Sequence, residues 1–211
     1  MKNINLSLIE FSNDVGSKKT MPGGGSVCAY ALSLSNALAS MVSNFTVGKK
    51  KYIEYDEDIK RILSHTEKLS TEILNMVDED CEAFMPLSAA YKMPEETEEE
   101  KKLKDETMQR CLKRAAEVPF KLILACEDIL SLHEELLTKG SKMLISDVGV
   151  GVMMLKSACK GAKINVLINI NSIKDIEYVE TMWEKTVEIT EKVDKKCEEI
   201  YSKVVEELMF N

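Results

Sequence analysis

Three consecutive glycines stand directly ahead of a long segment rich in alanine and serine. Gly23, Gly24 and Gly25 are followed by Ser26 and by the largely apolar run 27–45. Glycines leave backbone N–H groups bare at the positive end of a helix dipole, where a polar or anionic ligand can approach closely. The pattern indicates a ligand site. A flexible turn that lets a buried helix begin under tight packing is the alternative interpretation of the same residues.

A compact block of positive charge follows at the far end of that segment. Lys49, Lys50 and Lys51 are consecutive and precede Tyr52. The formal net charge of the chain is −8, so a negatively charged small molecule needs a local basic patch to be drawn in. The lysine run supplies such a patch. An exposed helix end without a ligand is the alternative.

Helical periodicity dominates the elements that must position these residues. Pro86 is expected to end or kink its helix, and Pro119 to kink the next one. Residues 163–170 alternate as a strand would, but a lone strand lacks a partner, so a helix is favoured there too. We predict helices over residues 4–16, 26–46, 52–90 (one helix or a broken pair), 94–137, 148–162 and 175–209.

Together these elements predict a multihelical, all-α single domain over residues 1–211, with long kinked helices around a central buried helix. Helix 26–46 carries small and polar side chains along one stripe, at steps of three and four residues. Because small residues let another backbone approach closely, this helix is expected to be buried with its glycine end facing a cavity. The stripe consists of Ser26, Ala29, Ser33, Asn36, Ser40 and Ser43.

Composition and charge argue against several kinds of partner. The net charge of −8 disfavours nucleic acid, which requires a broad basic surface. Every apolar run of membrane-spanning length is interrupted by polar residues, so no membrane partner is expected. Without a secretory signal, the six cysteines are expected to be reduced, buried thiols in a cytoplasmic protein. His65 and His133 match no metal-ligand spacing, and we expect them on the surface with no metal bound.

An ordered set of short sequence blocks covers nearly the whole chain. The blocks are 22–26, Met41-Val42 with Thr46, 48–52, 77–80 with Ala83-Phe84, 116–119, 146–150, 161–166, Ile168-Asn169 and Asp175. This set resembles the formiminotetrahydrofolate cyclodeaminase / methenyltetrahydrofolate cyclohydrolase family, and the order makes it more specific than a lone triple glycine. Around Gly140 the sequence departs from the family, because the asparagines expected after this glycine are absent.

The resemblance implies an all-helical, homodimeric enzyme that acts on one-carbon tetrahydrofolates and holds no permanently bound cofactor. One family reaction closes 5-formiminotetrahydrofolate to 5,10-methenyltetrahydrofolate and releases ammonia. The other adds water to 5,10-methenyltetrahydrofolate and gives 10-formyltetrahydrofolate. We favour the deaminase, with the cyclohydrolase as the alternative. The expected partner is a reduced folate, with or without a polyglutamate tail.

Both reactions pass through a tetrahedral carbon between N5 and N10, and both require proton transfer. In the light of the resemblance, Asp147 at a helix start is the first candidate for the general acid and base, and Asp80 is the second. Lys50 is the candidate for an activated or charge-matching lysine. Without the resemblance, Asp147 is interpreted as an N-cap worth roughly 1 kcal/mol, and Asp80 as part of a solvated acidic stretch.

The remaining candidate residues are expected to bind substrate. The glycine run and Ser26 would bind the pterin or its amide through backbone N–H groups, and Lys49 and Lys51 would meet the anionic glutamate tail. Asn165 and Asn169 share a helix face and would bind pterin edges or, alternatively, form hydrogen bonds between subunits. Tyr52 and Ser146 are the last two residues that are expected to bind substrate.

Two functions without catalysis stay open at this point. A folate-binding or regulatory protein would keep the pocket, bind reduced folate and turn nothing over. A helical interaction module would use the small-residue stripe for subunit packing alone and would have no affinity for reduced folate.

Overall fold

The computed structural model describes residues 2–210, which contain six α-helices, three short 3₁₀ segments and no β-strand. The 3₁₀ segments are Asn3–Asn5, Lys50–Tyr55 and Lys142–Leu144. The helices are α1 (Leu8–Val15), α2 (Gly24–Asn44), α3 (Asp56–Tyr91), α4 (Glu98–Lys139), α5 (Ile145–Ile170) and α6 (Ile176–Phe210). The all-α fold class predicted from periodicity is confirmed.

Helix α2 lies at the centre and packs against α3, α4 and α5. Its small and polar stripe faces inward, with Ser26, Asn36 and Ser43 fully or almost fully buried. Buried polar groups of this stripe form hydrogen bonds; the Asn36 Nδ2, for example, donates to the Thr66 carbonyl at 2.9 Å, while the Asn36 Oδ1 is buried without a hydrogen-bond partner. The predicted burial of this face of the helix is confirmed.

The opposite face of α2 is apolar and exposed in the single chain. Val27, Leu34, Met41 and Phe45 retain between 37% and 52% of their accessible surface. The expectation of a buried central helix therefore holds for one face only. The sequence pattern hid this because the inward face is built from small residues, whereas the larger apolar side chains point outward.

Helix α5 packs along α2 in the antiparallel direction. Gly24 at the start of α2 lies beside Asn165 near the end of α5, and Cys28 lies beside Gly161 one turn further along. A Cβ at Gly161 would overlap the Cys28 thiol, so the glycine permits the close approach of the two helices. Because α2 has 21 residues, its two ends are about 30 Å apart.

The long helices α3 and α4 differ from the predicted elements at their boundaries. Helix α3 continues beyond Pro86 to Tyr91, so a helix end at this proline is wrong, and α4 runs through Pro119. The predicted start of α4 near Pro94 is also wrong. The helix begins at Glu98, because Thr97 and Glu100 form a capping box.

Helix α5 is longer at both ends than the sequence pattern suggested. Its last two turns include residues 163–170, which confirms the choice of helix over strand for this segment. At its start, Ser146 and Asp147 lie inside the first turn, and the helix is preceded by Leu144. The predicted N-cap is therefore wrong, since the 3₁₀ segment leads directly into the helix and leaves no separate capping residue.

His133 on α4 is fully buried, so its predicted surface position is wrong. It falls on the apolar face of α4, one turn after Ile129, which is the sequence signal that could have placed it in the core. Its Nε2 lies 3.1 Å from the hydroxyl of Ser35, and a Cβ at Gly151 would overlap the ring. Burial lowers the pKa of His133 to about 4.

Helix α2 is the one described helix that is long and apolar enough to cross a bilayer, with a mean hydropathy of 1.3. The resemblance of α2 to a membrane-spanning helix rests on its length and composition alone. Its inward face carries buried hydrogen-bonded serine and asparagine side chains and packs on three other helices, as in the core helix of a water-exposed bundle.

Candidate active site

A cavity of about 280 Å³ opens at the N-terminus of α2, between this helix, α3, α4 and α5. The candidate residues that line it are Gly23, Gly24, Gly25, Asp80, Asn165 and Asn169. We call these six residues the glycine end. The other lining residues are Thr20, Met21, Phe84, Leu87, Tyr91, Ala115 and Ile168.

The carboxylate of Asp80 approaches the first turn of α2 from the neighbouring helix α3. Its Oδ2 accepts hydrogen bonds from the backbone N–H and the hydroxyl of Ser26, each at 3.0 Å. Burial raises the pKa of the Asp80 carboxyl, and the two hydrogen bonds from Ser26 oppose this rise. A carboxyl group whose pKa is raised in a cavity is suited to both accept and donate a proton.

Ser26 itself is fully buried, and both of its polar groups are occupied. Its N–H is bound to Asp80, and its hydroxyl lies 3.0 Å from both Asp80 and the Val77 carbonyl. The N–H group that was expected to bind substrate thus already donates to a carboxylate from another helix, and a substrate contact of Ser26 stays a prediction.

The three glycines have different surroundings at the start of α2. Gly23 is the N-cap residue with an extended backbone, and Gly24 and Gly25 form the first helical positions. A Cβ at Gly25 would overlap the Asp80 carboxylate, whereas a Cβ at Gly24 would lie 3.7 Å from the Asn165 amide, an ordinary contact. Gly25 is therefore the position where a close approach requires glycine, and the N–H groups of Gly24 and Gly25 border the cavity.

Asn165 and Asn169 are fixed in orientation by backbone carbonyls of α4 and α5. The Asn165 Nδ2 donates to Gly161 at 2.9 Å. The Asn169 Nδ2 donates to Asn165 at 2.8 Å and to Ala115 at 3.2 Å. Since both NH₂ groups are engaged with carbonyls, the two side-chain oxygens are the groups that can accept hydrogen bonds from a ligand.

The other candidates lie at the opposite end of α2. Lys49, Lys50, Lys51, Tyr52, Ser146 and Asp147 surround the connection from α2 to α3 and the start of α5. We call these six residues the lysine end. The three lysines and Ser146 are exposed, and Tyr52 and Asp147 are half-buried.

The lysine end is held in place by hydrogen bonds to the segment between α4 and α5. The Tyr52 hydroxyl accepts from the Lys142 N–H at 3.0 Å, and the Thr46 hydroxyl accepts from the Ser141 N–H at 2.8 Å. The Lys49 ammonium lies 5.6 Å from the centre of the Phe45 ring. Burial alone would raise the pKa of Tyr52. The hydrogen bond from the Lys142 amide and the charge of Lys51 lower it by more, so the net shift of the pKa is downward.

The structure thus brings half of the predicted site together and separates the rest from it. The glycine end joins Asp80 to the two asparagines, whereas Asp147 and the lysines lie about 30 Å away along α2. Sequence reasoning missed the apolar wall, above all Phe84, Leu87 and Ile168. Phe84 falls one helical turn after Asp80, and this spacing could have indicated it.

Within residues 2–210, no cluster of three or more histidine, cysteine, aspartate or glutamate side chains is arranged to hold a metal ion. All six cysteines carry free thiols, and five of them are buried. Cys28, the sixth, is half-buried beside the glycine end.

A glycine-lined cavity with a partly desolvated carboxylate, set in an all-helical fold, is typical of an enzyme that acts on small molecules. A sequence model of the formiminotransferase-cyclodeaminase family matches residues 7–188, and the chain belongs to this family.

Two curated relatives illustrate the range of the family. The chain is 35% identical over 176 residues to a methenyltetrahydrofolate cyclohydrolase of Methylorubrum extorquens, covering 83% of the chain and 85% of that protein. It is 36% identical over 168 residues to the formimidoyltransferase-cyclodeaminase of Gallus gallus, covering 80% of the chain. It spans only 31% of that longer protein.

A solved structure shares the fold over nearly its full length. The crystal structure of formiminotetrahydrofolate cyclodeaminase from Thermotoga maritima superimposes with a TM-score of 0.79 and 33% sequence identity. The match covers 97% of this chain and 96% of that one.

Proposed function

We propose that this protein converts 5-formiminotetrahydrofolate to 5,10-methenyltetrahydrofolate with release of ammonia. The observation that carries the proposal is the Asp80 carboxylate, which borders the glycine-end cavity with a raised pKa. Family membership and the full-length match to a cyclodeaminase structure support the same reaction.

The reaction requires one proton to move between two nitrogens of the substrate. N10 attacks the protonated formimino carbon, which becomes tetrahedral, and ionised Asp80 takes the proton that N10 loses. The same carboxyl then protonates the amino group, the carbon–nitrogen bond to it breaks, and ammonia leaves with the cationic methenyl bridge in place. One carboxyl that can both accept and return a proton serves both steps.

The glycine end is suited to the pterin ring by size and polarity. Its volume of about 280 Å³ lies near the lower limit of common small-molecule sites, roughly 300–1,000 Å³, so the ring system would fill it and the tail would extend outside. The side-chain oxygens of Asn165 and Asn169 would accept from ring N–H groups. The N–H groups of Gly24 and Gly25 would donate to the ring carbonyl, and Phe84 would pack against the ring.

A homodimer is part of the proposal because the exposed face of α2 is apolar along its whole length. Val27, Leu34, Met41 and Phe45 form this face, and a second copy of the chain would cover it. A two-fold axis across α2 would place the helices antiparallel, which brings the lysine end of one copy towards the glycine end of the other. Lys49 to Lys51 would then meet the glutamate tail of a folate bound in the neighbouring copy.

In that arrangement Lys50, Ser146 and Asp147 serve the site from the second subunit. Asp147 would help to position the glutamate tail or would take part in the proton transfer. Asp80 would be the group next to the reacting carbon. A cytoplasmic location is proposed with it, since the free thiols fit a reducing compartment.

The cyclohydrolase is the second candidate, favoured by the relative from Methylorubrum extorquens, which the chain matches over 85% of that protein's length. In this reaction Asp80 takes a proton from the water that attacks the methenyl carbon. The bond from this carbon to N5 then breaks as Asp80 returns its proton to N5, the hydroxyl group on the carbon releases its proton to solvent, and 10-formyltetrahydrofolate forms. The geometry of the glycine end suits either of the two reactions, because both take place at the same carbon.

Two parallel assays that follow the methenyl chromophore test the proposal. Appearance of the chromophore from 5-formiminotetrahydrofolate, with ammonia release, supports the deaminase; accelerated loss from 5,10-methenyltetrahydrofolate alone supports the cyclohydrolase. Asp80→Asn should abolish the activity found, while Glu82→Gln, an exposed acid on the same helix, should leave it unchanged. Folate binding without turnover would indicate a binding protein, and neither binding nor turnover would indicate an interaction module.

A further inference from the structure

Ser26 connects α2 to α3 at the floor of the glycine end. It occupies the third helical position of α2 and is fully buried. Its N–H and its hydroxyl both lie 3.0 Å from Oδ2 of Asp80. Asp80 thus provides, from a different helix, the cap that the glycine sequence before α2 cannot supply.

This contact distinguishes the two oxygens of Asp80. Oδ2 is held by Ser26, and Oδ1 is the carboxyl atom nearest to where a Cβ would stand on Gly25, a residue that lines the cavity. Among residues 2–210, no group forms a hydrogen bond to Oδ1, since both hydrogen bonds from Ser26 go to Oδ2. A single free oxygen beside a cavity fits a group that exchanges a proton, whereas a bidentate clamp on a ligand would require both oxygens.

The Ser26 hydroxyl also has a second acceptor. Its oxygen lies 3.0 Å from the Val77 carbonyl, the same distance as from Asp80. The single hydroxyl proton can therefore point to Oδ2 when the carboxyl is charged and to Val77 when the carboxyl is neutral. Both protonation states of Asp80 are accommodated without an unpaired hydroxyl.

Few titratable groups border Asp80. Cys28 on α2 and Cys81 on α3 have thiols whose pKa values are raised by burial, that of Cys28 to about 11. Tyr91 on α3 also borders the cavity. Helices α4 and α5 face Asp80 with uncharged residues, which are Ala115, Val118, Pro119, Leu122, Ala162, Asn165, Ile168 and Asn169. Ser26 is consequently the main group that opposes the effect of burial on this carboxyl.

We propose that Ser26 is a positioning residue that fixes the Asp80 carboxyl with Oδ1 towards the cavity and lets this group alternate between its charged and neutral forms during turnover. This inference depends on the proposed role of Asp80 in proton transfer. It goes beyond that role because Ser26 touches no substrate and acts only through the carboxyl.

The test compares Ser26→Ala with Ser43→Ala. Ser43 is a matched control, because it is equally buried on the same helix and its hydroxyl donates only to Ala39 of its own helix, at 2.8 Å. Loss of one donor to a charged carboxylate should move the acidic midpoint of the kcat profile of Ser26→Ala upward by about 1 pH unit. At pH values below the wild-type midpoint, kcat should fall about tenfold and KM should change less than threefold, whereas Ser43→Ala should keep the wild-type midpoint.

An unchanged midpoint in folded Ser26→Ala, with thermal stability or KM altered instead, would overturn the inference and leave Ser26 a structural residue. If the variant fails to fold, ¹³C NMR of the Asp80 carboxyl in the wild-type protein decides. The Ser26 amide proton should shift with the same midpoint as the carboxyl, and independent titration would overturn the inference. Failure of the proposed function is recognised separately, by full activity of Asp80→Asn or by an inactive wild-type protein.

Discussion

The two ends of α2 carry similar numbers of candidate residues but differ in how these residues are held. At the glycine end, a carboxylate, three glycines and two amides surround a cavity, and each of the three side chains is held by at least one hydrogen bond. At the lysine end, the three lysines are exposed. This difference is the reason why we propose the chemistry at the glycine end, whereas the lysine end offers charge that a ligand can reach.

The largest effect on activity is expected when the carboxyl group of Asp80 at the glycine end is replaced. Asp80→Asn keeps the size of the side chain but cannot accept and return a proton. We expect kcat to fall by about 10²–10⁴-fold with a small change in KM. Steady-state kinetics on the methenyl chromophore measures this.

Asp147→Asn is the corresponding change at the lysine end and serves as the comparison. It should lower kcat far less than Asp80→Asn does. The reverse order of the two variants would place the proton transfer at the lysine end and contradict the account.

The contact between the middle of α2 and His133 of α4 should make the free energy of unfolding decrease in acid. His133 is buried against Ser35 and its pKa is lowered from 6.5 to about 4. A folded state that binds the proton more weakly than the unfolded state is fully stabilised above pH 6.5, and loses this stabilisation as the pH falls towards 4. The loss should reach about 3 kcal/mol at pH 4.

Urea unfolding of wild type and His133→Gln at pH 7 and pH 4.5 checks this prediction. The pH difference in unfolding free energy should be smaller in the variant by about 2 kcal/mol. Equal pH dependence of the unfolding free energy in wild type and His133→Gln would show that the pKa of His133 is not lowered in the folded state.

A subtler change at the glycine end sharpens the comparison between neighbouring glycines. Gly25→Ala introduces a Cβ that overlaps the Asp80 carboxylate, and should displace this group. We expect a loss of about 1–3 kcal/mol in unfolding free energy and a clear fall in kcat. Thermal melts and steady-state kinetics measure the two effects.

Gly24→Ala is the matched control, since its Cβ would lie 3.7 Å from Asn165. It should retain stability and kcat close to wild type. Equal effects of the two alanines would mean that general helix-start flexibility, rather than the approach of Asp80, explains the glycines.

The smallest expected effect concerns the lysine end. Replacing Lys49 and Lys51 by alanine should raise KM for a triglutamylated substrate by about tenfold at low salt, with kcat unchanged. The effect should shrink for the monoglutamate and at high ionic strength. Replacing Lys101 and Lys102, two exposed lysines of α4, removes equal charge and should leave KM unaltered.

The helical fold was predictable because nearly every segment has one apolar face. Residues 163–170 alternate like a strand, and their helix was predictable only because a lone strand would lack a partner. Boundaries were less accessible, since the capping box at Thr97 and the 3₁₀ segment before Ile145 depend on local hydrogen bonds. The buried position of His133 could have been predicted from its place on the apolar face of α4, but the room that Gly151 leaves for its ring depends on tertiary packing.

The site was predictable only in part. The glycines, Asp80 and the two asparagines come from three helices, and their meeting at one cavity depends on the antiparallel packing of α5 on α2. Ser26 carries the pattern of a ligand-binding helix start, but the tertiary contact with Asp80 changes its role. The distance between the two ends follows directly from the length of α2 and could have been calculated beforehand.

The most direct test of the central claim is a crystal structure of the protein with a stable reduced folate, 5-formyltetrahydrofolate. The account predicts the pterin in the glycine-end cavity, with the one-carbon group next to Oδ1 of Asp80 and the asparagine oxygens on ring N–H groups. A pterin bound beside Asp147 at the lysine end, with the glycine-end cavity empty, would contradict it.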